Sequence, residues 1–172
     1  DLQGEAKARF AAIQERQAEL AQKFSENVLD ATDQWSTLVS AEEVQGMPAD
    51  ALAAARAAAE SDGHPGLYKL TLKMPSYLPA MQFGQHRPLR ERLYRAYVTR
   101  ASDQAQGEGA ASRDNGPLMA ELLALRQEEA ALLGYASFAQ VSLVPKMASS
   151  PAQVLAFLRD LARRARPFAE KD

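Results

Sequence analysis

The stretch EAKARFAAIQERQAELAQKFSENVLDATDQWSTLV, residues 5–39, decides the fold class. Phe10, Ile13, Leu20, Phe24, Val28, Ala31, Trp35 and Leu38 recur at three- and four-residue steps, which puts them on one face of a helix. No Pro or Gly interrupts between Glu5 and Gly46. The spacing predicts one long N-terminal helix of about 33 residues, about 50 Å at 1.5 Å per residue. Helices of about 14 to 20 residues cannot cover an apolar stripe of that length. Part of it is therefore expected to pack on something outside the chain, with Phe10, Ile13 and Leu20 as the uncovered end. Self-association is the corollary, since exposed apolar faces mark interfaces.

Working outward, Gly46 and Pro48 break the pattern, and an Ala-rich helix is expected from Ala49 to about Ser61. Asp62-Gly63-His64-Pro65-Gly66 is a turn by composition. Leu67, Tyr68, Leu70, Thr71 and Leu72 suggest a strand, and Ala80 to Phe83 its return. Pro75 and Pro79 would bracket the turn between them. The spacing thus predicts a small β-hairpin over about residues 67–84. Pro88 opens a further helix running to about Ser102. Gln104 to Arg113 reads as a mobile loop. Asp114 or Asn115 caps a helix with Leu118, Met119, Leu122, Leu125 and Leu132 on its apolar face, ended by Gly134. A short helix over Ser137 to Val144 is expected next. Ser150-Pro151-Ala152-Gln153 is a capping box for a last helix. Val154, Leu155, Leu158, Leu161 and Ala162 are its expected buried face, and Pro167 its kink or end. The fold class is mainly α: an elongated single helical domain over residues 1–172 with one small hairpin.

Composition narrows the function classes. Apolar residues make up 47% of the 172 residues, too many for a disordered chain. The net charge of −2 argues against a dedicated nucleic-acid binder. No apolar run approaches the roughly 20 residues of a membrane helix, so no membrane partner is expected. There is no cysteine, which excludes disulfides and thiolate metal sites and fits a cytoplasmic protein. Asp1 and the charged Ala169-Glu170-Lys171-Asp172 both read as cut points.

Chemistry-bearing clusters are few. His64 and His86 lack metal-ligand spacing and read as ordinary loop residues. Glu42-Glu43 and Glu128-Glu129 are sequence neighbours that point about 100° apart on a helix, so neither pair converges. Arg87, Arg90, Arg92, Arg95 and Arg100 form a basic cluster. It reads either as a solvated helix face, with Glu91 pairing to Arg95, or as a positive wall that holds a peptide carboxylate. Arg163, Arg164 and Arg166 suit a helix C-terminus. Tyr68, Tyr77, Tyr94 and Tyr97 read as core-edge residues or as the lining of a peptide groove. Tyr77, Arg92 and Arg95 are the candidate peptide contacts. No phosphate loop and no Gly-x-Ser-x-Gly motif occurs. No catalytic or metal-ligating residue can be named.

Six segments in order carry a resemblance. They are Lys23-Phe24-Ser25-Glu26-Asn27-Val28-Leu29-Asp30-Ala31-Thr32-Asp33, Pro75-Ser76-Tyr77-Leu78-Pro79-Ala80-Met81, Leu89 to Tyr97, Thr99 to Asp103, Leu132-Leu133-Gly134-Tyr135 and Lys146-Met147-Ala148. Together they resemble the oligopeptidase A and thimet oligopeptidase family of zinc metallopeptidases. The oligopeptidase A branch is the nearer likeness and the dipeptidyl carboxypeptidase branch the alternative. The resemblance implies a clamshell of helical halves around a narrow channel that admits short peptides. It also implies zinc as the parent protein's cofactor, held by a His-Glu-x-x-His helix and a downstream Glu. That motif is absent here. The chain is similar to the stretch before it, in the half that forms a channel wall. The implied role is a scaffold fragment, inactive alone, whose partners are short peptides and the missing catalytic half. A stand-alone helical interaction module derived from the family is the other reading.

Overall fold

Helix α1 spans Gly4–Gln34 in the computed structural model, which describes residues 2–107 and 109–171. Its Ala, Glu, Gln, Lys and Arg content favours helix throughout. It stops short of residue 39 because the chain turns to β-prone residues. Ser36–Val39 is strand β1, with Val39 buried and Thr37 half-buried between exposed Ser36 and Leu38. That alternation is a strand's, although Trp35 and Leu38 also continue the helical step.

Helix α2 (Ala49–Ser61) follows, then β2 (Tyr68–Thr71), α3 (Met74–Phe83) and α4 (Arg87–Thr99). A 3₁₀ turn (Ala111–Arg113) precedes α5 (Gly116–Leu132), α6 (Phe138–Leu143) and α7 (Pro151–Ala169). The protein is mainly helical with one small antiparallel ladder, as expected. The ladder's location differs from expectation. β2 pairs with β1, in the register Ser36↔Thr71 to Val39↔Tyr68, and not with residues 80–83. Residues 74–83 are helix instead. Pro75 sits in the first turn, where its missing N–H costs nothing. Tyr77, Ala80 and half-buried Met81 share a face at steps of three and four. Pro79 forfeits one interior hydrogen bond.

The residues fall into two compact units: Ala21–Leu118, and the residues up to Leu20 together with those from Met119 onward. The core of the Ala21–Leu118 unit gathers Val39, Val44, Met47, Ala55, Leu70, Leu72, Tyr77, Ala80, Leu89 and Leu93. Gly46 makes one close approach possible. Its φ is +88°, and a Cβ there would lie 2.5 Å from Phe83 O. The neighbouring strap is fixed by Gln85 N donating to Gln45 O at 2.9 Å.

In the other unit, Ile13, Leu20, Leu125 and Ala130 are buried. Ile13 at 0% and Leu20 at 4% exposure overturn the expectation that this end of the stripe lies bare; Phe10 is half-buried. Arg9 pairs with Glu128 at 2.6 Å and Arg16 with Glu121 at 2.6 Å, so α1 and α5 run antiparallel here. Glu129, expected on the solvated surface, is 7% exposed and accepts from Gln17 Nε2 at 2.7 Å. Gly134, at φ +80°, ends α5 as expected. Tyr135 N donates to Ala130 O and Gly134 N to Ala131 O, the paired bonds of a Schellman cap.

Helix α7 is capped as its sequence predicts: Ser150 Oγ accepts from Gln153 N at 3.2 Å. The return bond shifts by one residue, since Gln153 Oε1 accepts from Ser149 N at 2.7 Å. Its apolar face, however, is not buried. Leu155, Phe157, Leu158, Leu161 and Phe168 are all exposed. Pro167 lies inside the helix, which continues to Ala169. No described helix is long and apolar enough to cross a membrane.

Candidate functional site

The Ala21–Leu118 unit carries an open cleft of about 1530 Å³. One wall is α4. Its N-cap is His86, whose Nδ1 accepts from Leu89 N at 3.3 Å, so this histidine has a structural task that loop composition did not reveal. Leu89 and Leu93 bury the inner face of α4. That burial fixes the helix's rotation and turns Glu91, Arg92, Arg95 and Thr99 toward the cleft.

The cleft lining includes four arginines, Arg92, Arg95, Arg100 and Arg113, against the carboxylates Glu91 and Asp103, so the surface is net positive. Arg92 pairs with Glu43 at 3.4 Å and Arg95 with Glu91 at 2.9 Å. Glu43 is itself held. Its carboxylate accepts from Ser40 N at 2.9 Å while Ser40 Oγ accepts from Glu43 N at 3.4 Å, a reciprocal box around one turn. The Ser40 hydrogen bond, and after it the Arg92 charge, keep the Glu43 carboxyl below the usual range.

The second wall is the loop after α4. Its start is anchored on the last carbonyls of the helix. Thr99 Oγ1 donates to Arg95 O at 2.8 Å, Arg100 Nη1 to Tyr97 O at 2.7 Å and Ser102 Oγ to Thr99 O at 2.6 Å. Ala101 takes a left-handed φ of 53°, which costs a non-glycine residue about 1 kcal/mol. Asn115, 2% exposed, holds that conformation by donating N–H to Ala101 O at 3.0 Å. Its side chain donates to Phe24 O at 3.1 Å and accepts from the buried Asn27 at 2.8 Å. Asn115 thus anchors the loop, and Asp114 caps α5 by accepting from Gly116 N at 2.9 Å.

Of the three candidate peptide contacts, Arg92 and Arg95 lie together on the cleft. Tyr77 does not: it is 8% exposed, in the core, with burial raising its phenol pKa. Its ring stacks on Tyr97, 4.4 Å between centroids, and Arg100 lies 3.6 Å over the other partner's ring centre. Sequence reasoning missed Asn27 and Ser40–Glu43. Both leave a local signal. Asn27 is a polar residue on the apolar stripe of α1, and Ser-x-x-Glu at 40–43 is a capping pattern.

A metal does not fit these residues. No group of three His, Cys, Asp or Glu side chains converges among the described residues. His64 is exposed in a turn and His86 is committed to its cap.

Residues 80–172, more than half of the chain, match Peptidase family M3. The chain belongs to this family. It is 52% identical over 172 residues to Oligopeptidase A of Salmonella typhimurium, covering 99% of this chain and 25% of that protein. It is 41% identical over 155 residues to the Probable cytosolic oligopeptidase A of Arabidopsis thaliana, which is 86% of this chain and 21% of the relative. Dipeptidyl carboxypeptidase of Escherichia coli is 26% identical over 167 residues, 96% of this chain and 24% of the relative. The chain therefore spans about a quarter of the length of the relatives it matches, and its likeness is greater on the oligopeptidase A side of the family.

Proposed function

We propose that this chain is a non-catalytic wall segment of an oligopeptidase A-like zinc peptidase that hydrolyses short peptides, with the zinc ligands outside these 172 residues. The observation that carries the reading is the 52% identity maintained along 99% of the chain, in a family M3 member with no convergent metal-ligand set among the described residues. The cleft supports it: a net-positive surface with arginines held by hydrogen bonds suits the carboxylates of peptides. Arg92 and Arg95 are its candidate peptide contacts. The partners in this reading are short peptides and the zinc-bearing part of the polypeptide.

The test is a chimera in which these residues replace the matching quarter of the Salmonella oligopeptidase A. Cleavage of a quenched fluorescent peptide at a rate near that of the unmodified enzyme is the expected result. A chimera that folds and binds zinc but cleaves nothing would overturn the proposal. The chain alone is expected to cleave no peptide and to bind no stoichiometric zinc.

A further inference from the structure

Arg100 differs from the other cleft arginines described. Arg92 is matched by Glu43 and Arg95 by Glu91. Arg100 has no carboxylate partner among the described residues, and Asp103 lines the same wall without pairing to it. Its one hydrogen bond runs from Nη1 to Tyr97 O at 2.7 Å, and its Nε is buried with no acceptor. The guanidinium is nonetheless fixed. It lies 3.6 Å from the centre of the Tyr97 ring, which stacks at 4.4 Å on buried Tyr77. A stacked guanidinium keeps its charge and loses little further freedom on binding, and with Nη1 on Tyr97 O and Nε buried, Nη2 is the donor left for a carboxylate. Partial removal from water strengthens such a contact.

We propose that Arg100 is the anion anchor of the cleft and that it takes the carboxylate of a short peptide. This rests on the reading of the cleft as a peptide channel wall. The three-layer stack of Arg100, Tyr97 and Tyr77 gives Tyr77 its part: it positions the anchor from the core. A carboxylate could also arrive from another segment of a longer polypeptide, and the experiment separates that source from a free peptide.

The ¹⁵N-labelled chain is titrated with N-acetyl-tetraalanine, once as the free acid and once as the C-terminal amide. Amide shifts from Tyr97 to Asn115 report binding. The acid is expected to bind about tenfold more tightly than the amide, the range of a charge-assisted hydrogen bond. Arg100→Gln is expected to bring that ratio to about one, and Arg100→Lys, which keeps the charge without the plane stacked on Tyr97, to an intermediate value. Arg56→Gln, the same charge change outside the cleft, should leave the ratio as it was. If Arg100→Gln fails to fold, Arg100→Lys carries the test. Equal binding of acid and amide, a ratio unchanged by either substitution, or no binding of either peptide overturns the proposal. The last outcome would leave a carboxylate of a longer polypeptide as the source. A cleaving chimera without acid preference would remove the anchor and keep the wall role. An acid preference in a chain whose folded chimera cleaves nothing would do the reverse.

Discussion

Helices α4 and α7 are both amphipathic, α7 the more strongly, yet α4 buries Leu89 and Leu93 while α7 buries nothing. The difference lies in what stands opposite. α4 packs into a core supplied by the β1–β2 ladder, α2 and α3. The face of α7 that holds Leu155, Leu158 and Leu161 is left about half exposed. Amphipathic spacing says that a face wants burial. It does not say that the partner is present in the same stretch of chain. Helix α7 is held locally, by the Ser150 cap and by Arg163 and Arg164 on Asp160.

The comparison breaks if the two helices respond alike to truncation. Leu93→Ala removes a side chain with 0% exposure and should cost about 2–5 kcal/mol, read as a drop in the urea midpoint at unchanged slope. Leu158→Ala acts on a side chain 52% exposed and should stay within about 0.5 kcal/mol. Equal costs would mean that the α7 face is covered in solution. Gly46→Ala tests the α4 side again. It places a Cβ against Phe83 O at a positive φ, so it should destabilise by more than about 1 kcal/mol. A neutral outcome would show that the strap carrying Gln45 is free to move.

What was legible in the sequence follows the same division between local and distant causes. The start of α4, the caps of α5 and α7 and the stop at Gly134 are local chemistry, and Pro88, Asp114, Ser150 and Gly134 announce them, whereas the His86 cap of α4 was not read. β1 was not legible, because Trp35 and Leu38 prolong the helical step and the strand's partner lies some thirty residues further on. α3 was hidden by Pro75 and Pro79, although Tyr77, Ala80 and Met81 carry a helical period. In the site, the basic face of α4 was readable from Arg92 and Arg95. Tyr77 was readable as core-edge or groove-lining, and its inward turn is decided by Tyr97, which packs against it from another helix. The buried Asn27–Asn115 bond joins residues 88 apart in sequence, and only folding brings them together.

A smaller effect sharpens the account of α7 as locally held. Ser150→Ala removes the acceptor for Gln153 N and should weaken the helix by about 1 kcal/mol. Because α7 buries no residue, the loss should appear as faster hydrogen exchange in its first turn and leave the global urea midpoint nearly unchanged. A global midpoint that falls by the same amount would tie α7 to the cooperative core and undo the contrast with α4.

The smallest effect concerns the exposed ion pairs between α1 and α5. Hydrogen bonds from Arg16 and Arg9 hold the Glu121 and Glu128 carboxyls below the usual range. A carboxyl whose pKa is lower folded than unfolded adds stability that is fully present above the unfolded value, about 4.3. That stability is lost as pH falls through the folded value. Both pairs are solvent-exposed, so the effect at neutral pH is slight and screened by salt. The expected result is a urea midpoint unaffected by these groups from pH 7 to about 5 and lowered by them as pH drops below about 4. The double variant Glu121→Gln, Glu128→Gln should therefore track the parent closely at pH 7 in high salt and show a shallower acid limb. An acid limb of unchanged steepness would show that the pairs contribute nothing, leaving Ile13, Leu20 and the part-buried Gln17–Glu129 bond as what joins the two helices in that unit.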